Sequence, residues 1–149
     1  MVSAEVAGPA PSGAGSAGRS GSGRVRRVFD RHFDGIDLYE LRAAVSGHVA
    51  GVAAERVGEA VVLIAHELCS NAVRHGGGSG RIRIWSDAGN IYCQVIDEGP
   101  GLSDPDDAGR TLPPPTLPGG RGLWIARTMS EVHIDAGPAG TTVTAVVAR

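Results

Sequence analysis

Glu67, Asn71 and His75 follow one another at intervals of four residues, in a stretch where apolar residues also recur every three or four positions. That periodicity predicts an amphipathic helix over about 55–75. Each step of four residues turns about 40° around a helix, so the three polar side chains should lie along one side, beside the apolar face. A carboxylate placed there can act as a general base, and an amide oxygen can hold Mg²⁺ together with water and phosphate. Taken alone, this stretch has an alternative interpretation, in which the three polar side chains are only exposed to solvent.

A second candidate group lies at the end of a strand predicted over 91–97, where Asp97 shares its face with apolar residues. Because side chains alternate along a strand, that face is the covered side of the sheet. An ionised carboxylate is costly there unless a hydrogen-bond donor reaches it, so Asp97 requires a partner. Gly99 and Gly101 let the backbone turn and leave room for a ligand, although a plain turn explains them equally well.

Residues 102–119 contain five prolines and no periodic pattern, which predicts a loop. Loops of this length in small domains often act as lids or binding loops. The loop leads into Gly120-Arg-Gly122-Leu123, where glycines open a helix predicted to run to about 129. The free N–H groups and the dipole of such a helix start favour an anion. The dinucleotide-binding fingerprint does not fit, because Ile125 stands where that motif needs a small residue.

Lysine is absent and all 14 basic residues are arginine, which excludes the lysine-bearing phosphate loop of P-loop NTPases. A net charge of −2 gives no basic excess for nucleic-acid binding. No run of 18 apolar residues occurs, so we expect no membrane span. Cys69 and Cys93 lie in apolar patterns without a Cys-x-x-Cys pair, which predicts reduced core cysteines and a cytoplasmic location.

Residues 1–23 are almost entirely Ala, Gly, Ser and Pro, and we expect a disordered tail, because such a segment buries too little surface to offset its ordering entropy. Residues 24–149 are expected to form one domain with an aliphatic core, since aromatic residues make up only 4% of the chain. The predicted order is a strand, two helices, two strands, the loop, a helix and two strands. A capping box of Asp37 and Glu40 is expected to open the first helix.

The three groups of candidate residues form ordered motifs: Glu67-x-x-x-Asn71-Ala-x-x-His75, Asp97-x-Gly99-x-Gly101 and Gly120-x-Gly122-Leu123. In this order, with a lid-like loop before the third, they resemble the N, G1 and G2 boxes of the GHKL (Bergerat-fold) ATP-binding family, which includes gyrases and sensor histidine kinases. The resemblance covers roughly residues 24–149. It implies a histidine kinase-like ATPase fold of the α/β (α+β) class, a two-layer sandwich of a mixed, mostly antiparallel sheet with three helices on one face.

The resemblance also implies a role for residues at the base-binding end of an ATP site. Asp97 would accept a hydrogen bond from the adenine amino group, which is a partner its position requires. Gly99 and Gly101 would let the chain pass beside the base. Because His75 is part of the first motif, the resemblance implies that it also takes part in nucleotide binding.

At the phosphate end, the same resemblance implies that Asn71 binds the Mg²⁺ that bridges the ATP phosphates. Gly120, Gly122 and Leu123 would present backbone N–H groups to those phosphates beneath the lid. Glu67 would be the general base for an acceptor hydroxyl or water.

With Glu67, Asn71 and His75 in what we expect to be a stand-alone domain, without a transducer domain or a dimerisation helix, the chain resembles the anti-sigma factor serine/threonine-protein kinases. That similarity implies phosphorylation of a serine on an anti-anti-sigma factor and sequestration of a sigma factor. A non-catalytic module that binds a partner in a nucleotide-dependent way is the alternative, as is the ATP-binding half of a split two-component sensor kinase. No contact with nucleic acid or membrane is expected, and a homodimer is left open.

Overall fold

The computed structural model describes residues 24–101, 105–113 and 121–149. The elements in chain order are β1 (Arg26–Asp34), α1 (Leu38–Val49), α2 (Glu55–His75), β2 (Ser79–Ser86), β3 (Asn90–Asp97), α3 (Arg121–Met129), β4 (Glu131–Gly137) and β5 (Gly140–Ala148). The predicted order of strands and helices is therefore confirmed for this part of the chain. The expected tail over 1–23 lies outside the described residues.

The five strands form one sheet in the order β1-β2-β3-β5-β4. The expected mostly antiparallel sheet is antiparallel at every pairing between the described strands. β3 lies at the centre, so its last residue, Asp97, is flanked by β2 and β5 and pairs with Thr141. The three helices pack on one face of this sheet, which gives the predicted two-layer α+β sandwich.

The core lies between the two layers and is mainly aliphatic, as the composition predicts. Alternate residues of β2 and β3 face the helices, and the buried residues of α2 recur at helical spacing. The members of this core with essentially no exposure are Val45, Val49, Val61, Ile64, Cys69, Ile82, Ile84, Ile91, Cys93, Ala126 and Ala145. Cys69 and Cys93 are free and buried, and burial raises the pKa of both thiols, to about 12 for Cys93.

The other face of the sheet carries polar and aromatic pairs. The Arg81 guanidinium binds the Asp30 carboxylate through two hydrogen bonds of 2.8 Å, which join β1 to β2. This contact lowers the pKa of Asp30 below its ordinary value. Trp85 stacks on Tyr92 across β2 and β3, with ring centroids 5.2 Å apart.

One local prediction is wrong. Asp37 does precede α1, but its helical backbone angles are unlike those of a capping residue and its side chain makes no capping hydrogen bond, so Asp37 and Glu40 form no capping box. Asp34 supplies the turn instead, because its carboxylate accepts the N–H groups of Ile36 at 2.9 Å and Asp37 at 3.3 Å. None of the helices within the described residues is both long and apolar enough to cross a bilayer.

Candidate nucleotide-binding site

Helix α2 positions the first motif along one side, as its spacing predicts. Glu67 and Asn71 are half-buried at the edge of the core, and His75 is exposed as the last residue of the helix. Gly76 caps the helix at its C-terminal end, and its N–H donates to the carbonyl of Ala72 at 2.8 Å. Two glycines with positive φ, at 77 and 78, then turn the chain into β2.

Asp97 lies at the end of β3, on the face that the helices cover, in agreement with the alternation along the strand. Its Oδ1 accepts the N–H of Gly99 at 2.9 Å. Burial raises the pKa of Asp97 above its ordinary value, while backbone N–H groups of Gly99 and Thr141 partly oppose that shift. The carboxylate is thus kept in a place where its charge is disfavoured, which is the situation of many functional acids.

Glycines surround Asp97 because the backbone comes too close for a side chain. A Cβ on Gly76 would lie 2.4 Å from the Asp97 carboxyl carbon, and a Cβ on Gly99 would lie 2.5 Å from the Gly76 backbone. Gly101 has a φ of +85°, and a Cβ there would meet the carbonyl of Gly137 at 2.5 Å. The end of α2 and the segment after β3 therefore pack backbone to backbone beside the carboxylate.

The start of α3 lies against the first motif of α2. A Cβ on Gly122 would be 3.1 Å from Oε1 of Glu67 and 3.5 Å from Oδ1 of Asn71. Only a glycine leaves this space clear, so the first turn of α3 approaches both side chains closely. Leu123, the next residue, is buried. Gly120 lies outside the described residues, so its predicted place in the site stays a prediction.

A cleft of about 50 Å³ connects these groups between α2, β3, β5 and α3. Its described lining is Leu68, Asn71, Ala72, His75, Gly76, Val95, Asp97, Gly101, Leu123, Thr141 and Val143. The candidates Asn71, His75, Asp97, Gly101 and Leu123 thus share one cleft. Glu67, Gly99 and Gly122 adjoin it without lining it. Two larger clefts, of about 860 and 500 Å³, lie elsewhere and contain none of the candidate residues.

Gly76 and Thr141, which line this cleft beside Asp97, have no counterpart among the predicted site residues. Gly76 lies just beyond the predicted helix, and its approach to Asp97 depends on how α2 meets β3. Thr141 is 7% exposed and lies opposite Asp97 in the pairing of β3 with β5. A buried threonine on the covered face of a strand is the signal in the sequence that could have singled it out.

The arrangement offers a half-buried hydrogen-bond acceptor at one end and an amide, a carboxylate and a helix start at the other. Among residues 24–101, 105–113 and 121–149, no three His, Cys, Asp or Glu side chains gather into a metal site. An ion held here by Asn71 would therefore take most of its ligands from water and from a bound phosphate, as Mg²⁺ commonly does.

Residues 35–147 match the model of the family described as "Histidine kinase-like ATPase domain". No curated protein matches the chain. Among solved structures, the histidine kinase domain of the Erythrobacter litoralis EL346 blue-light activated histidine kinase is 17% identical, with a TM-score of 0.46. That comparison covers 76% of this chain and 63% of that one, so this chain spans less than two thirds of that structure.

Two further histidine kinases show similar values. The Acinetobacter baumannii histidine kinase AdeS is 16% identical, with a TM-score of 0.45 and coverage of 82% of this chain and 68% of that one. The mycobacterial sensor histidine kinase MprB is 16% identical, with a TM-score of 0.47 and coverage of 80% and 97%. The family match extends over about three quarters of the chain and includes all three motifs. The chain therefore belongs to the histidine kinase-like ATPase domain family, whose fold is that of the GHKL ATP-binding domains.

Proposed function

We propose that the chain binds Mg-ATP and transfers its γ-phosphoryl group to a serine of a regulatory protein, as an anti-sigma factor serine/threonine-protein kinase does. One observation carries the proposal. The Glu67 carboxylate and the Asn71 amide meet Gly122 at the start of α3, and Asn71 shares a cleft with Asp97. The site thereby combines a proton-accepting carboxylate, a metal ligand and a helix start that favours anions. It adds a hydrogen-bond acceptor suited to the adenine ring.

The base-binding end fits adenine. Asp97 offers a carboxylate as hydrogen-bond acceptor. Because burial disfavours its unpaired charge, a ligand group that donates a hydrogen bond to the carboxylate stabilises it. The amino group of adenine is such a donor. The glycines at 76, 99 and 101 hold the backbone close around this carboxylate, so its position is fixed before a ligand arrives.

The phosphate end combines Asn71 with the first turn of α3. Helix α3 has nine residues, and the first N–H groups of a helix have no partner within it. Those N–H groups and the helix dipole favour phosphate oxygens. Mg²⁺, when bound, supplies positive charge that offsets the charge of the phosphates. Asn71 contributes one neutral oxygen ligand to hold it.

Glu67 is the residue proposed to take up a proton. As the serine oxygen bonds to the γ-phosphorus, its proton passes to the Glu67 carboxylate, and the bond from that phosphorus to the β–γ bridging oxygen breaks to leave ADP. The closeness of Oε1 to Gly122 at the start of α3 supports a position of this carboxylate beside the proposed phosphate site. A half-buried base retains access to a hydroxyl that a partner presents.

The proposed partner is an anti-anti-sigma factor, and a sigma factor is the proposed second partner. Both are proposed from the resemblance of the motif with Glu67, Asn71 and His75 to that of the anti-sigma factor kinases. The proposed setting is the cytoplasm, with a homodimer as one possible assembly.

One observation favours a second candidate function. Glu67 adjoins the cleft but does not line it. If the carboxylate does not reach the acceptor, the domain is a nucleotide-dependent binding module without phosphoryl transfer. The ATP-binding half of a split two-component kinase is a further alternative, in which the phosphate goes to a histidine of a separate chain.

Glu67→Gln tests the kinase proposal, because glutamine keeps the size of the side chain and removes the base. We expect the variant to bind ATP normally and to transfer label from γ-labelled ATP to a co-purified partner at least ~10²-fold more slowly than wild type. Glu59→Gln, an exposed change on the same helix, is the matched control and should transfer at the wild-type rate.

The product of the transfer separates the alternatives. Acid-stable phosphoserine on the partner supports the proposal, whereas acid-labile phosphohistidine identifies a split sensor kinase. If wild type transfers nothing while its affinity for the partner differs between ADP and ATP, the binding module is the correct function. Transfer by Glu67→Gln at the wild-type rate would show that Glu67 is not the base.

A further inference from the structure

The described part of the proline-rich loop, residues 105–113, contains turns and lies against α3. Ala108 is partly buried and packs on the edge of the core. Gly109 has a φ of +78°, and a Cβ there would lie 2.5 Å from Cβ of Leu123. The loop therefore touches the same first turn of α3 that lines the nucleotide cleft.

One side chain, Arg127 on the last turn of α3, joins this loop to the rest of the domain. Its Nε donates to the carbonyl of Ala108 at 2.7 Å, and its Nη2 donates to the carbonyl of Pro105 at 3.4 Å. Its Nη1 donates to the carbonyl of Val132 in β4 at 3.4 Å. A single guanidinium thus connects the loop, α3 and the edge strand of the sheet.

The other polar contacts described for the loop are internal. The Arg110 N–H donates to the carbonyl of Asp107 at 3.2 Å, and the Arg110 side chain donates to the carbonyl of Asp106. These bonds shape the turn but do not fasten it to α3. Among the described residues, the attachment therefore depends on Arg127, on the contact between Gly109 and Leu123, and on the packing of Ala108 against the core.

We propose that Arg127 is a positioning residue of the nucleotide site, because it fastens residues 105–110 to α3 and so fixes the first turn of that helix beside the bound phosphates. The inference rests on the proposed function. Leu123 is the physical link, since it contacts Gly109 on one side and lines the cleft on the other. A loop that stays attached keeps this turn in place and retards the departure of the nucleotide.

The charge of Arg127 does not make the attachment a pH switch. Burial lowers the pKa of Arg127, Arg110 lowers it further, and Asp106 and Asp107 oppose the shift. A guanidinium nevertheless keeps its proton in ordinary aqueous buffers. The attachment is therefore constant with pH.

The experiment measures loop protection and nucleotide release in the full chain. We expect Arg127→Met to speed amide hydrogen exchange over 105–113 without nucleotide, and to speed ATP dissociation about tenfold, the scale of one lost charged hydrogen bond. Arg127→Lys should restore part of both effects, because an ammonium retains a donor but cannot reach three carbonyls at once. Arg56→Met removes an exposed arginine from α2 and is the control for loss of charge.

A second variant loosens the loop without altering Arg127. Gly109→Ala places a methyl group against Leu123 at a positive φ, so it should speed exchange over 105–113 and ATP dissociation in the same direction. Gly47→Ala is its matched control, since a Cβ at Gly47 in α1 meets nothing within 4 Å.

The results separate this inference from the proposed function. Faster exchange and faster ATP release in both variants, with wild-type values in both controls, support the inference. ATP release at the wild-type rate in folded Arg127→Met overturns it and leaves the proposed function intact. If wild type binds no ATP, the proposed function fails and the inference fails with it.

Discussion

Asp97 meets opposing demands from the fold and from the proposed ligand. Folding places it at the end of the central strand, on the covered face, where burial disfavours its charge. Binding of adenine needs that charge as a hydrogen-bond acceptor. The backbone N–H of Gly99 offsets part of the cost, and a bound amino group would offset more. Burial thus lowers stability at this residue, and the proposed contact with adenine would account for that cost.

The pKa shift of Asp97 gives a signed prediction for stability. Its folded pKa lies above the unfolded value near 3.8, so the native state holds the proton more firmly. The stability that this residue contributes is full below that unfolded pKa and is lost as pH rises through the folded one. Asp97→Asn cannot ionise, so we expect it to unfold at an equal or higher temperature than wild type at pH 7. The advantage should vanish as the pH falls towards 4 in calorimetric scans.

The same variant should weaken ATP binding by about 10–100-fold, since its amide replaces a charged acceptor. Glu98→Gln alters the exposed neighbour and serves as the control. A variant Asp97→Asn that is more stable and still binds ATP as tightly as wild type would show that Asp97 does not contact the base.

At the scale of elements, the site depends on how the end of α2 meets the segment after β3. Gly76 has a φ of −111°, which any residue tolerates, so the requirement for glycine there is purely steric. Gly78, two residues on, has a φ of +94° and open space around its Cβ position. Substitutions at Gly76 and Gly78 therefore distinguish the effect of contact with Asp97 from the effect of backbone strain.

We expect Gly76→Ala to displace the Asp97 carboxylate and to weaken ATP binding at least tenfold, with a destabilisation of about 1–3 kcal/mol from overpacking. Gly78→Ala should cost about 1–2 kcal/mol through its left-handed backbone but leave the affinity for ATP nearly unchanged. Denaturant titration and calorimetry give the two quantities for each variant. Equal loss of affinity in both would mean that stability, and not the Asp97 contact, controls binding.

Periodicity was sufficient to predict the elements themselves. The helical spacing of α2 and the alternation in β3 were strong enough to predict where Asn71 and Asp97 would face. The capping box failed because Asp34, three residues before the predicted cap, accepts the Asp37 N–H to which the Glu40 side chain was expected to bond. Short polar side chains near a helix start compete for these donors, and sequence spacing alone does not decide the outcome.

Contacts between distant segments were beyond sequence reasoning. The approach of Gly122 to Glu67 joins residues 55 positions apart and depends on the packing of α3 against α2. The bonds from Arg127 to the loop carbonyls have no sequence signature, because a carbonyl acceptor is present at every residue. The resemblance to the GHKL motifs predicted that the three motifs lie around one site, which periodicity alone does not predict.

At the scale of the whole molecule, the candidate site exists only when the sheet and its helices are assembled. Its residues come from α2, the end of β3, the start of α3 and the start of β5. A ligand held by all four binds the folded state and not the unfolded chain. At a concentration 100 times its Kd, such a ligand adds about 2.7 kcal/mol to stability.

Thermal unfolding can therefore divide the site into its two ends. We expect adenosine to raise the unfolding temperature slightly through the Asp97 end, ATP in EDTA to raise it further, and ATP with Mg²⁺ to raise it by several degrees. Asn71→Ala should remove most of the increment that Mg²⁺ adds and leave the effect of adenosine unchanged, because its proposed contact is through the metal. If Asn71→Ala lowers the ATP-induced shift in unfolding temperature equally in EDTA and in Mg²⁺, Asn71 is a packing residue or contacts the nucleotide directly. The proposed metal site would then be wrong.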